Sequence, residues 1–131
     1  MSAKNLLVVL IVLVVAVGSF WIGASHPRKE TGGRVRVMVK NEIENVVLMD
    51  ENVEFYAGDT VFDILCRVAS VEYNSYPGLG KFVTSIDNLK QTQTAWWLYY
   101  VNGTLASISS DRYRVMDGDN ILWKYTSEMP F

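Results

Sequence analysis

The chain has one cysteine, Cys66, and one histidine, His26. A lone cysteine closes no internal disulfide, so the fold must be held by its apolar core. Cys66 falls within an apolar helical pattern, where a thiol behaves as a small hydrophobe. A catalytic Cys–His pair would need His26, beside Pro27, carried across the whole domain. The sequence has no phosphate-binding glycine loop, no metal-ligand cluster and no nucleophile elbow, so it reads as non-catalytic. Asp111, Asp117 and Asp119 are hard-cation donors, but their spacing is not that of an EF-hand, and a turn explains Asp117-Gly118; no metal site is expected. Basic residues are scarce too: residues 41–131 carry six Lys or Arg against thirteen Asp or Glu. Nucleic acid is therefore excluded as a partner, because phosphate binding needs clustered cations.

Charge is missing altogether from Leu6 to Ala24. Nineteen mostly apolar residues suffice to cross a hydrocarbon core of about 30 Å, so residues 1–25 read as a membrane anchor, with residues 5–24 in lipid. The competing reading is a cleaved secretory signal. Leu6–Val17 has signal length, and Gly23-Ala24-Ser25 offers small residues for cleavage. Phe20, Trp21 and Ile22 resume the apolar run, and Trp21 sits where an interfacial aromatic belongs, which favours an uncleaved anchor. No cysteine follows for a lipoprotein anchor. The flanking charges (Lys4 before; Arg28, Lys29, Arg34 and Arg36 after, against Glu30) point the domain to the cytoplasm. Asn102-Gly103-Thr104, a glycosylation sequon at Asn102, points outward.

Residues 26–33 read as a linker. The basic stretch from Arg28 to Lys40 reads as a solvated linker running into the first strand, with contact to anionic head groups as the other reading. Arg34–Lys40 alternates Val35, Val37 and Val39 with polar residues, the period of a half-buried strand. Asn45–Met49 and Val53–Tyr56 read as two short strands around an Asp50-Glu51-Asn52 turn. Asp59 or Thr60 caps a helix, and Asp63 stands at capping-box spacing from Thr60. Val61, Phe62, Leu65, Val68 and Ala69 form its apolar stripe, and it should end near Ser70 or Val71. Asn74–Gly80 reads as a loop and Phe82–Ile86 as a strand. Ala95–Val101 is the strongest strand signal. Asn102-Gly103 is a type I′ hairpin turn leading to a return strand at Thr104. Asp117-Gly118 reads as a second such turn before a strand over Ile121–Tyr125. Strands, one helix, then strands predict an α+β fold: a β-grasp-like mixed sheet with one packed helix and open strand edges, following an N-terminal transmembrane helix.

On the aromatic strand, Trp96, Leu98 and Tyr100 face one way, and Trp97, Tyr99 and Val101 the other. One face must meet the helix. The other is a binding platform or ordinary half-exposed sheet. With the tyrosine-rich stretch Tyr73–Gly80 as a wall, the candidate ligand residues are Tyr73, Tyr76, Trp96, Trp97, Tyr99 and Trp123.

Four segments in order carry a resemblance: Gly58-Asp59-Thr60-Val61-Phe62-Asp63-Ile64-Leu65, Gly80-Lys81-Phe82-Val83-Thr84-Ser85-Ile86-Asp87, Trp96-Trp97-Leu98-Tyr99-Tyr100-Val101-Asn102-Gly103 and Asp117-Gly118-Asp119-Asn120-Ile121-Leu122-Trp123-Lys124-Tyr125. The chain resembles the transcobalamin-like C-terminal domain family, also found as a domain of unknown function in bacterial and archaeal surface proteins. The resemblance spans about residues 34–126, within a domain taken as 34–131. It departs at Ser109-Ser110 and at Asn88, where the family often has glycine. In vitamin-carrying members this domain closes over cobalamin held mainly by a separate helical domain, which these residues do not supply. The resemblance therefore implies the fold and a place outside the cytoplasm, with a corrinoid or other small ring as a ligand and no resident cofactor. The expected function is a single-pass, membrane-anchored binding module. The alternative is a non-catalytic assembly subunit pairing with a larger membrane or surface protein.

Overall fold

The first strand of the computed structural model, which describes residues 30–130, is β1 (Thr31–Asn41). It buries Val35, Val37 and Val39 and turns Arg34 and Arg36 to solvent. Residues 31–33, read as linker, already belong to it. β2 (Val46–Tyr56) runs back antiparallel as one strand, not two. Asp50 and Asn52 do not turn the chain. They stand opposite Met38 and Arg36 on the outer face, and the Arg36 guanidinium donates to Asp50 at 2.8 and 2.6 Å.

α1 (Val61–Val68) starts at the expected capping box. Thr60 Oγ1 accepts from the Asp63 amide at 3.2 Å, and Asp63 accepts from the Thr60 amide at 3.0 Å. Val61, Phe62, Ile64 and Leu65 are buried. The helix stops at Val68, a little early, because Ala69 is already extended and Val71 opens the next strand. Cys66 is exposed, against expectation. It lies just off the stripe, and burial with Asp63 nearby pushes its thiol pKa up despite Lys81, so little of it is thiolate at neutral pH.

The expected loop over Asn74–Gly80 is largely a hairpin. β3 (Val71–Tyr76) turns through Pro77, Gly78 and Leu79 into β4 (Gly80–Ile86), two residues earlier than the expected Phe82 start. Asp87 and Asn88 then take positive φ (47° and 67°) and turn the chain into β5 (Leu89–Lys90), a strand not anticipated. Asn88 thus adopts the left-handed conformation for which a glycine would otherwise be chosen.

β6 (Trp96–Val101) turns at Asn102 and Gly103, both with positive φ (51° and 82°), as a type I′ turn requires. The return strand β7 (Thr104–Leu105) is only two residues long. The long partner of β6 is β8 (Asn120–Thr126). At Asp117-Gly118 only Gly118 has positive φ, so this is not a second type I′ turn. Asp117 Oδ1 instead accepts the Arg34 amide at 3.0 Å, pinning the turn to β1.

The result is an α+β fold, mostly sheet with one helix. A five-stranded sheet has the order β2-β1-β8-β6-β7, with β1 and β8 parallel, and a three-stranded sheet has the order β3-β4-β5. One buried cluster joins both sheets and the helix. Two side chains also tie the sheets: Trp97 Nε1 donates to the Leu89 carbonyl at 2.9 Å and the Tyr125 hydroxyl to that of Lys90 at 2.7 Å. Among the described residues no helix is long and apolar enough to cross a membrane. The span expected over residues 5–24 lies outside them.

Candidate functional site

The predicted alternation of β6 holds. Trp97, Tyr99 and Val101 are buried on the inner face, and Trp96, Leu98 and Tyr100 are half-buried on the outer one. This separates the six candidate ligand residues. Trp97, Tyr99 and Trp123 lie together inside, with Tyr99 and Trp123 rings 5.0 Å apart. Trp96 is on the opposite face. Tyr73 and Tyr76 are exposed on β3, their rings against Phe62 (5.1 Å) and Phe82 (5.6 Å). The inner aromatics are therefore not an open platform.

They form the floor of a cleft. A cavity of about 410 Å³ lies between β4 and the segment from β6 through residues 105–112, lined by Trp97, Tyr99, Trp123, Phe82 and Ile108 among others. Phe82 and Ile108 are exposed at its mouth. Its other polar residues are Lys81, Gln91, Ser107, Ser109, Ser110 and Arg112, none of which the sequence marks as a ligand residue. The Ser109-Ser110 departure from the family pattern was the only pointer to this stretch.

Several bonds fix the serine segment. The Tyr99 hydroxyl donates to the Ile108 carbonyl at 2.6 Å. Burial, then the neighbouring Tyr113 and Asp111, push the Tyr99 phenol pKa up, so it stays protonated as the donor. The helix start takes up the far side: the Phe62 amide donates to Ser110 O at 3.1 Å and the Val61 amide to Tyr113 O at 2.9 Å. The first helical amides are thus occupied, leaving no anion site at the helix end. On the near side the Lys81 amide donates to Asp111 Oδ1 at 3.0 Å. Burial pushes the Asp111 carboxyl up, but the Lys81 amide, the Ser109 hydroxyl, its own amide and the Arg112 charge outweigh this and hold it below the usual carboxylate range. The approach depends on Gly80. At φ +109° it has no Cβ, and one placed there would collide with the Ser109 side chain and the Asp111 carboxylate.

Three buried polar atoms bordering the cleft have no hydrogen-bond partner: Trp123 Nε1, Ser109 Oγ and Ser110 Oγ, on residues 2 %, 5 % and 2 % exposed. All three can donate. Lys81 and Arg112 make no ion pair within 4.0 Å among the described residues. Lys81 Nζ lies instead 5.1 Å from the ring centres of Phe62 and Tyr73. No carboxylate lines the cleft.

A second depression, of about 430 Å³, lies on the outer face of the large sheet beside Met38, Tyr100 and Leu122. Its cations are already engaged, Arg36 with Asp50 at 2.6 Å and Lys124 with Glu42 at 3.0 Å. Asn102 is engaged as well. Its amide donates to Asp119 Oδ1 and its carbonyl accepts from the Asn120 amide, both at 2.9 Å. A glycan would replace one of the two hydrogens on a nitrogen that already donates within the turn. Among the described residues no three His, Cys, Asp or Glu side chains gather as a metal site.

Residues 58–127, from the helix cap to the end of β8, match the domain of unknown function DUF4430. The chain belongs to the DUF4430 family. No curated protein matches it. Among solved structures, it is similar to a candidate metal-binding protein from Ruminococcus gnavus ATCC 29149 at 19 % identity and a TM-score of 0.55, covering 74 % of this chain and 99 % of that one. It is also similar to haptocorrin in complex with Cbi, at 16 % identity and a TM-score of 0.63. There 80 % of this chain covers only 27 % of haptocorrin. At these identities the likeness shows a shared fold, consistent with the transcobalamin-like resemblance.

Proposed function

We propose that this DUF4430 domain is a non-catalytic binding module that holds a small ring-bearing molecule in the cleft between its two sheets. It would be presented outside the cytoplasm from a single-pass anchor at residues 5–24. The observation that carries the reading is the cleft itself. It has the size of a small-molecule site and an apolar, aromatic lining with a few converging polar groups. The β-grasp-like arrangement of hairpin, helix and final strand parallel to the first supports the family's fold, and the haptocorrin neighbour makes a corrinoid the first ligand to try. A whole corrinoid would not be enclosed by about 410 Å³ and would bind by an edge at the mouth.

The test is calorimetric titration of the full-length protein with cobalamin and cobinamide. Alanine at Trp97 or Tyr99 would remove core and cost about 3–5 kcal/mol, so the informative variants are Phe82→Ala and Ile108→Ala at the exposed mouth. Saturable binding lost in these variants with an unchanged fold supports the reading. Binding that ignores them places the ligand elsewhere.

A second reading, an assembly subunit, draws on β2. It is an edge strand, and Ile43, Val46, Val47 and Leu48 leave an exposed apolar run at one end of it, as strand addition would use. Crosslinking in the native membrane would recover a partner through this edge; a protein that stays monomeric there counts against it.

A further inference from the structure

We infer that the cleft is built for an anion: a small, flat, apolar body carrying one carboxylate or comparable acidic oxygen group. The inference rests on the cleft being the ligand site and adds the ligand's charge and size.

Charge is the first argument. From residue 41 onward the protein has six basic residues against thirteen acidic ones, and its net charge is −2. The cleft inverts this balance, with Arg112 and Lys81 on its wall and no carboxylate, the Lys81 ammonium lying over the Phe62 and Tyr73 rings. Four cations elsewhere are paired: Arg36 with Asp50, Arg67 with Asp59, Lys90 with Glu72 and Lys124 with Glu42. An anion at the outer depression would have to displace such a pair, whereas one in the cleft would not.

Hydrogen bonding is the second argument. Trp123 Nε1 and Ser110 Oγ are buried without a partner. A buried donor left unmade is costly, and an indole N–H can only donate. A ligand oxygen within reach of either would satisfy it, and hydrogen bonds to an ionised acceptor are the stronger kind. Ser109 Oγ is likewise buried without a partner, whereas the helix amides are bonded to Ser110 O and Tyr113 O. The buried donors left for a ligand are therefore Ser109, Ser110 and Trp123, with Arg112 as the cation beside them.

Size is the third. A volume of about 410 Å³ lies near the lower end of small-molecule sites. Trp97, Tyr99 and Trp123 on the floor, with Phe82 and Ile108 at the mouth, suit a fused-ring or alicyclic body rather than a macrocycle. The acidic group would lie toward Ser110 and Arg112.

The experiment uses the full-length protein in nanodiscs of neutral lipid. It is titrated with 2-naphthoate, the isosteric neutral 2-naphthamide and cobinamide, followed by calorimetry and by the Trp123 indole N–H signal in NMR, assigned through Trp123→Phe. The expected result is naphthoate binding at least tenfold tighter than the amide, with a shift of the Trp123 signal. That preference should fall severalfold in Arg112→Gln and in Lys81→Gln. Their folds are checked by the remaining indole signals. Equal binding of naphthoate and naphthamide at the cleft would overturn the anion inference and leave the binding-module reading standing. So would binding of cobinamide alone. If no probe, cobinamide included, moved the Trp123 signal, both readings would fall together.

Discussion

Thr60 and Asp63 hold the first turn of the only helix among the described residues by reciprocal bonds of 3.2 and 3.0 Å. Thr60→Ala should therefore cost about 1 kcal/mol, read as a lower urea midpoint with an unchanged slope. Gly80→Ala should be worse. It forces a β-carbon into positive φ and against Ser109, and a loss of about 1–3 kcal/mol is expected for such a backbone, with the serine wall displaced. Asp111 gives a pH signature. Its folded-state pKa is depressed, so its contribution is complete above the carboxylate's unfolded value near 3.9 and is lost as pH falls through the lower folded one. Acid unfolding of Asp111→Asn should accordingly lack part of the wild-type pH dependence below about 4. A steeper acid transition in the variant would contradict this.

The elements differ in how plainly the sequence announces them. Strand β1, the capping box and the Asn102-Gly103 turn were legible because each rests on local chemistry: a two-residue period, one side-chain cap, two left-handed residues. β2 was misread because Asp50 and Asn52 are common turn residues. Their use as outer-face partners of Met38 and Arg36 depends on a neighbouring strand. β3 was missed for a related reason. Val71–Tyr76 is exposed along nearly its whole length, so it shows no alternation, and only pairing with β4 makes it a strand. The cleft was half legible. Its aromatic floor stands out in the sequence, but its polar wall comes from a loop without motif, brought in by Tyr99, the helix amides and Gly80. At this scale Leu65→Ala, in the buried stripe of α1, should cost about 2–5 kcal/mol by thermal or urea unfolding. Cys66→Ser, off the stripe, should stay within about 0.5 kcal/mol of wild type.

Taken whole, the protein is two sheets joined through one core, and the smaller sheet hangs on few polar ties. Tyr125→Phe removes one of them at about 1 kcal/mol; Trp97→Phe removes another and part of a buried ring with it, so it should cost more. Their rings lie 5.1 Å apart, so the double variant should depart from additivity. Hydrogen exchange should show β4 and β5 losing protection before β1 and β8. Uniform loss across both sheets would mean that the sheets unfold as one. The parallel pairing of β1 and β8 has a mechanical consequence. The two strands are neighbours over six positions, from Arg36 with Asn120 to Asn41 with Tyr125. The chain enters β1 at one end of the sheet and leaves β8 at the other, and β1 alone spans about 36 Å. Tension between those two ends would slide the strands past each other, so the bonds of the ladder share the load and give way together, not one at a time as in a hairpin peeled from its tip. A domain strung in series with an anchor on one side and a load on the other would be held along its strongest direction.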